Sequence, residues 1–164
     1  MVYVTFFARM DLWSLLIRLW TRRKGQPFAD VPSHCGIAFR TATGEWLHFE
    51  ATPAGVVFEH IDTVDDLNDS LYSVRIPLER EDDAAAFATY CLGDGYDWGA
   101  VIDDALGKAL PKTIPLYDDQ SGRYDCSRFV LEVLRAGGIP IGLWLRPPTP
   151  NDLMGEYRRG QKCL

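Results

Sequence analysis

Residues 124–138 read YDCSRFVLEVLRAGG, and this stretch predicts a short helix that begins at a cysteine. Asp125 is a suitable N-cap, because its carboxylate can accept hydrogen bonds from the first free backbone N–H groups. Gly137 and Gly138, which are followed closely by a proline, end the helix. The inward face carries residues at helical spacing: Cys126, Phe129, Val130, Val133 and Leu134. The fold is therefore expected to be built around a helix that packs along this face.

The position of Cys126 has two interpretations. The partial positive charge at a helix N-terminus favours a thiolate, which is the nucleophilic form of cysteine. A cysteine at the start of a core face is equally well explained as a small apolar packing residue. A catalytic role requires a base within hydrogen-bond reach and a third group that orients the base. The rest of the chain must supply both.

Length and composition indicate one folded domain over residues 1–164, with 47% apolar residues. The net charge of -6 and the single short basic run at residues 22–24 argue against nucleic acid as a partner. The four cysteines form no Cys-x-x-Cys pair, so neither a zinc site nor a disulfide framework is expected, and no cofactor is implied. The oligomeric state stays open.

Residues 11–23 predict a helix capped by Asp11. Its inward stripe is expected to contain Leu12, Leu15, Leu16 and Leu19, widened by Ile17, Trp13 and Trp20. We expect this helix to belong to the core. The alternative is a membrane-surface helix, because tryptophans beside the basic residues 22–24 suit that role. Arg18 interrupts the apolar run and no cleavage site follows, so we expect neither a signal peptide nor a membrane span, and a cytoplasmic protein.

Alternation of apolar residues predicts an antiparallel sheet with helices packed on it, an α+β fold. The strands are expected at residues 2–7, 34–40, 45–51, 56–59 and 71–78, with a short one at 141–145. Further helices are expected at residues 81–91, about 99–110 and 150–157, an acidic loop or short helix at 62–69, and a frayed tail from 158.

His34 is the best candidate for the base among the three histidines. It opens a strand whose alternate face continues with only Gly36 and Ala38, so we expect the start of the Cys126 helix to pack over that face. Glu50, on the next strand of the hairpin, can orient the imidazole. His48 is an alternative third member, because the register of a predicted hairpin is uncertain by one or two residues.

A redox or metal site that combines Cys35 with His34 is a less favoured hypothesis. Neighbouring residues of a strand point to opposite faces of the sheet, which disfavours shared ligation.

The motifs resemble those of a known family. DCSRFV at residues 125–130 resembles the D-C-S-x-x-V nucleophile motif of the NlpC-type papain-like cysteine hydrolases. The histidine precedes the cysteine here, SHCGI at 33–37 resembles the S-H-x-G-I strand, and FEA at 49–51 resembles an E-A strand. This order is similar to the circularly permuted branch, which includes YiiX/YaeF-like proteins and the lecithin:retinol acyltransferase group. The resemblance therefore implies a circularly permuted papain-like fold.

The resemblance also implies roles for individual residues. Cys126 would be the nucleophile and its backbone N–H an oxyanion donor. His34 would be the general base and then the acid, and Glu50 the orienting residue. A tyrosine often assists in this family, and Tyr124 and Tyr3 are the candidates for contact with substrate.

The implied activity is that of a cysteine peptidase, amidase or acyl hydrolase that works through an acyl-enzyme. Cell-wall peptides and lipid acyl groups are the implied substrate classes, and hydrolysis and acyl transfer both remain open. Arg128 stands where the standard branch usually has glycine, so it is expected to narrow the site or to contact an acidic substrate group. The alternative is a non-catalytic binding or structural module on the same fold, and the small size would also suit a phage or prophage protein.

Overall fold

The structure is a computed structural model of the 164-residue chain, and it describes residues 1–63, 70–101, 122–140 and 148–161. Three predictions lie wholly or largely outside these ranges: the strand at 141–145, the acidic segment at 62–69, and the helix that was expected to reach residue 110. Residues 98–101 of that helix are described and are helical.

Five antiparallel strands form one sheet: β1 (Val2–Phe7), β2 (His34–Arg40), β3 (Trp46–Thr52), β4 (Gly55–Ile61) and β5 (Ser70–Ile76). Their order across the sheet is β4-β3-β2-β1-β5. Each strand coincides with a predicted one, and only the last three have slightly shifted ends, because alternating β-branched and aromatic residues suit a pleated, half-buried surface. A short parallel pair, β6 (Gly95–Tyr96) and β7 (Arg123–Tyr124), lies outside this sheet.

The described residues contain four helices of at least ten residues: α1 (Leu12–Thr21), α2 (Glu81–Tyr90), α3 (Cys126–Ala136) and α4 (Pro150–Gln161). The predicted end of the last helix near residue 157 was wrong, since α4 continues into the segment that was expected to fray. Thr149 caps α4, because its Oγ1 accepts from the Asp152 N–H at 3.2 Å.

The sheet buries its two faces differently. On one face Cys35, Ile37 and Phe39 belong to the main core, together with the inward residues of α3. The other face carries His34, Gly36 and Ala38, and there the His48 ring lies so close to Gly36 that a Cβ at that position would overlap it. The prediction that α3 packs over Gly36 and Ala38 was therefore wrong. A neighbouring histidine fills that space, and α3 packs on the opposite face.

The orientation of α1 also differs from the prediction. Leu12, Leu19, Trp13 and Trp20 were expected to face inward, but all four are exposed, and Leu15, Leu16 and Ile17 are only half-buried. The buried residues of α1 are the polar Ser14, Arg18 and Thr21. Arg18 explains the inversion: its Nη2 donates to the Phe28 carbonyl at 2.8 Å and its guanidinium lies 4.2 Å from the Phe28 ring centroid. These contacts turn the polar side of the helix inward.

The described residues thus form an α+β arrangement with an antiparallel five-stranded sheet and packed helices, as expected. Within those same residues, none of the helices combines the length and the apolar character needed to cross a bilayer.

Candidate active site

Cys126 is held at the first position of α3 by its preceding residue. The Asp125 carboxylate accepts from the backbone N–H groups of Ser127 at 2.8 Å and Arg128 at 3.0 Å, as the sequence predicted. The apolar face of α3 fixes the helix on the sheet, and only 4% of Cys126 is exposed. The thiol therefore sits at a capped helix N-terminus, where the helix dipole favours its ionised form.

His34 lies between the thiol and a carboxylate. It is the first residue of β2, so its ring is at the end of the strand, where it can interact with Cys126 although α3 packs on the opposite face. The Nε2 atom of His34 is 2.6 Å from Oε2 of Glu50. With Nε2 donating to this carboxylate, Nδ1 is the nitrogen left to exchange a proton with the thiol.

Glu50 has a second partner that the sequence analysis missed. Nη2 of Arg9 donates to the same Oε2 atom at 2.8 Å, and the backbone N–H of Arg9 donates to Ser33 Oγ at 3.1 Å. Arg9 lies two residues beyond β1, and the last residue of β1, Phe7, pairs with His34. This position predicts that Arg9 lies near His34 only if β1 is known to lie beside β2.

The three central groups shift one another's pKa values. Burial lowers the pKa of His34, but the negative charges and hydrogen bonds of Cys126 and Glu50 outweigh burial and raise this pKa to about 9. Burial raises the pKa of Glu50, whereas the hydrogen bond and charge of His34, with the charge of Arg9, bring it down to about 2. At neutral pH the histidine is therefore protonated and the carboxyl ionised.

The pKa of Cys126 is held well below its ordinary value. The largest cause is the hydrogen bond from the Cys35 thiol, which outweighs burial, and the charge and hydrogen bond of His34 act in the same direction. The Cys35 backbone N–H also donates to the sulfur. The pKa of Cys35 itself is raised, chiefly by burial and then by its bond to Cys126. These shifts favour the Cys126 thiolate paired with the His34 imidazolium.

Cys35 is the second residue that the sequence analysis missed. It was considered only as a partner for His34 and was set aside because the two residues point to opposite faces. That reasoning was sound for His34, but Cys35 lies on the core face where α3 packs, next to Cys126. Cys35 was missed because α3 was expected on the other face of the sheet, where the helix would not contact Cys35.

His48, the alternative third member, is engaged elsewhere. Its Nε2 is 3.0 Å from Thr5 Oγ1 and its Nδ1 is 3.2 Å from Glu59 Oε1. Burial lowers the pKa of His48, so this ring is neutral at pH 7. The structure brings Glu50, and not His48, to His34.

The expected substrate-side residues are dispersed. Tyr3 packs edge-on against Trp46 and pairs with Ala38, four residues along β2 from His34, which is about 13 Å at the strand rise. The Tyr124 hydroxyl accepts from the Cys91 thiol at 3.6 Å, and its ring lies 5.8 Å below the Arg128 guanidinium. Arg128 and Tyr124 are thus paired next to the nucleophile, whereas Tyr3 is remote from it.

Tyr96 is a further tyrosine on which the charge of the thiol acts. It lies on β6 and pairs with Tyr124, and its pKa is raised chiefly by burial and then by the negative charge of Cys126. In the sequence, Tyr96 only precedes the helix that was expected from about residue 99. The short β6–β7 pair that positions it has too few residues to give a periodic signal.

The fold and this cluster define an α+β protein with a buried cysteine–histidine–glutamate group at a helix N-terminus. Within the described part of the chain, no group of three His, Cys, Asp or Glu residues is arranged to hold a metal ion. Comparison of the chain with known protein families, curated proteins and solved structures found no match.

Proposed function

We propose that the protein is a cysteine hydrolase of circularly permuted, NlpC-type papain-like fold that cleaves an amide or ester bond through an acyl-enzyme on Cys126. One observation carries the proposal: the His34 ring interacts with the Cys126 thiol on one side and with Glu50 at 2.6 Å on the other. This is the order nucleophile, base, orienting group that thiol catalysis requires.

The energetic cost of burying these charged groups favours a catalytic role for the cluster over a purely structural one. Burying a thiolate, an imidazolium and a carboxylate costs desolvation energy, and apolar side chains of similar volume often stabilise a core as well or better. A structural module would need only a small apolar residue at Cys126. The strongly perturbed pKa values of Cys126, His34 and Glu50 at one point are typical of a functional site.

The proposed reaction begins with attack of the Cys126 thiolate on the substrate carbonyl carbon. A C–S bond forms and the carbonyl oxygen takes the negative charge, which the Cys126 backbone N–H at the helix start can stabilise. When the tetrahedral species collapses, the bond to the leaving amine or alcohol breaks. The leaving group takes the proton from Nδ1 of the His34 imidazolium, and a thioester on Cys126 remains.

Hydrolysis of the thioester reverses the roles. Neutral His34 removes a proton from water as the water oxygen attacks the thioester carbonyl. Collapse expels the Cys126 thiolate, releases the carboxylic acid and restores the ion pair. Glu50, held by Arg9, keeps the His34 ring oriented through both halves. An acceptor other than water would make the same enzyme an acyltransferase, and peptides and lipid acyl groups are both compatible with the site.

A burst experiment with p-nitrophenyl esters tests this proposal. We expect rapid release of nitrophenol followed by a slower steady rate, with the acyl group found on the peptide that contains Cys126. Cys126→Ser should remove the burst, while Cys91→Ser, a change at another buried thiol, should keep it. Folded wild-type protein that gives no burst, or acylation at another residue, would contradict the proposal.

A further inference from the structure

We propose that α1 docks the protein on the surface of an anionic lipid bilayer through its exposed apolar side. We call this the docking face and define it by Met10, Leu12, Trp13, Leu19 and Trp20. It is independent of the catalytic proposal, since none of these residues belongs to the thiol site.

The docking face is continuous and exposed. Met10, Leu12 and Leu19 are 72%, 70% and 60% exposed, and Trp13 and Trp20 are about half exposed. At 100° per residue, the four residues within the helix span an arc of about 120°, with Leu16 between them. Contiguous exposed apolar surface of this kind marks an interaction site more often than isolated exposed leucines do.

The docking face is held outward by specific contacts on the other side of the helix. Arg18 is 3% exposed and is bonded to the Phe28 carbonyl, and Ser14 Oγ donates to the Asp11 carboxylate at 2.6 Å. At the C-terminal end, Asn151 Nδ2 donates to the Thr21 carbonyl at 2.7 Å. Turning the leucines inward would break the bonds of Arg18 to Phe28 and of Asn151 to Thr21, and would leave a guanidinium to be paired elsewhere.

The charge beside the docking face identifies the partner. Arg22, Arg23 and Lys24 follow α1 directly and are all exposed, although the whole chain carries a net charge of -6. Positive charge is therefore concentrated at the C-terminal end of the docking face, and it complements anionic headgroups. Tryptophan prefers the boundary between headgroups and acyl chains, where its ring is buried and its N–H is solvated. Leucine, tryptophan and adjacent basic residues together are typical of an interfacial helix.

The docking face extends toward the thiol through two aromatic rings. Trp13 and Trp98 have ring centroids 5.7 Å apart, and Trp98 contacts Tyr96 edge-on at 5.0 Å. Tyr96 pairs with Tyr124, which lies two residues before Cys126 in the chain. A bilayer bound at α1 would therefore lie on the Tyr96 side of the site.

Co-sedimentation with sucrose-loaded vesicles tests the proposal. Wild-type protein should bind phosphatidylcholine vesicles that contain phosphatidylglycerol. The double variant Leu12→Gln, Leu19→Gln should bind them roughly tenfold or more weakly, because two leucine side chains no longer enter the bilayer. Glutamine is a good helix former, and both sites are exposed, so the fold should be kept. Tyr90→Gln, a change at an exposed aromatic residue on α2, is the matched control and should bind like wild type.

A second comparison isolates the charge. Arg22→Gln with Lys24→Gln should lose several-fold of the preference for anionic over pure phosphatidylcholine vesicles, and added salt should have the same effect on wild type. Arg23 is left unchanged because it pairs with Asp152 at 3.3 Å. Cys126→Ala should bind vesicles like wild type, so failure of the catalytic proposal would leave docking intact.

Three results would overturn the docking proposal. Folded wild-type protein could fail to bind the anionic vesicles, or the Leu12, Leu19 double variant could bind as tightly as wild type. The third result is a wild-type dimer that ignores vesicles and that the same double variant converts to a monomer, which would show that a second copy of the chain covers the docking face.

Discussion

The helices α1 and α3 begin alike and pack in opposite ways. Each has an aspartate N-cap: Asp11 accepts from the Ser14 N–H at 3.0 Å, and Asp125 accepts from Ser127 and Arg128. Each has an apolar stripe at helical spacing. In α3 that stripe is buried in the core, whereas in α1 the buried stripe is polar and Leu12 and Leu19 face outward.

The difference shows what hydrophobic periodicity measures. It locates a stripe on a helix, but the partner surface decides which side is buried. Beyond the thiol at its start, the inward side of α3 is formed mainly by apolar residues, so burial of apolar area determines its orientation. In α1, Arg18 contacts both the carbonyl and the aromatic ring of Phe28, and its guanidinium is buried in place of the Leu12 and Leu19 side chains.

The largest expected effect concerns the pair of Cys126 and His34 at the start of α3, which has no counterpart at the start of α1. His34→Gln should reduce the rate of Cys126 acylation by about 10²–10⁴-fold, because the variant loses both the imidazolium that stabilises the thiolate and the acid for the leaving group. Stopped-flow measurement of the nitrophenol burst gives this rate. His60→Gln, at an exposed strand residue, should leave the rate unchanged, and an equal loss in both variants would count against a specific role for His34.

Leucines on the two helices provide the direct comparison of packing. Leu134→Ala on α3 removes a fully buried side chain and should lower the free energy of unfolding by about 2–5 kcal/mol. Leu19→Ala on α1, at a site 60% exposed, should cost less than about 1 kcal/mol. Urea unfolding measures both changes. Equal losses would mean that the apolar side of α1 is buried.

Arginines on the same helices should show the reverse order. Arg18→Ala should lower the free energy of unfolding by about 1.5–3 kcal/mol, because a buried charged hydrogen bond to Phe28 is lost. Arg135→Ala on α3 removes only an exposed pair with Glu132 at 2.8 Å and should cost about 0–1 kcal/mol. If thermal or urea unfolding gives Arg135 the larger cost, the polar anchoring of α1 is wrong.

A smaller effect is expected on the titration of His34. Its pKa of about 9 is raised, so the stabilisation of the folded state by the imidazolium is present below the ordinary histidine pKa and is lost as the pH rises through about 9. Glu50→Gln removes one of the negative partners, so this pKa should move down toward the ordinary value. Histidine ring signals in NMR titrations report the shift.

The matched control for that titration is Glu59→Gln. Glu59 bonds His48 at 3.2 Å and does not contact His34 in the hydrogen-bond network. It should therefore leave the His34 titration unchanged. If Glu59→Gln shifts the His34 titration and Glu50→Gln does not, then Glu59, and not Glu50, orients the His34 ring.

Local sequence signals predicted the elements well, because each depends on a few neighbouring residues. The five strands of the main sheet, the Asp125 cap and the approach of Glu50 to His34 all follow from alternation, capping chemistry and a short hairpin. The face on which α3 packs did not follow, since it depends on the His48 ring filling the space over Gly36.

The remaining site residues were hidden for a related reason. Arg9 reaches the cluster because β1 lies beside β2, and Cys35 reaches it because α3 packs on the core face of β2. Both placements are properties of the whole sheet. Tyr96 depends on a pair of very short strands. In each case the chemistry of the residue was visible in the sequence, but the long-range contact that makes it functional was not.

The pH dependence of Cys126 alkylation by iodoacetamide tests the thiolate–imidazolium pair most directly. We predict that the rate, followed by mass spectrometry of the peptide that contains Cys126, changes little between about pH 6 and 8, because the pKa of this thiol is held well below its ordinary value. His34→Gln should restore a rate that climbs with pH. A wild-type rate that rises about tenfold per pH unit over this range, as for an ordinary thiol, would contradict the account.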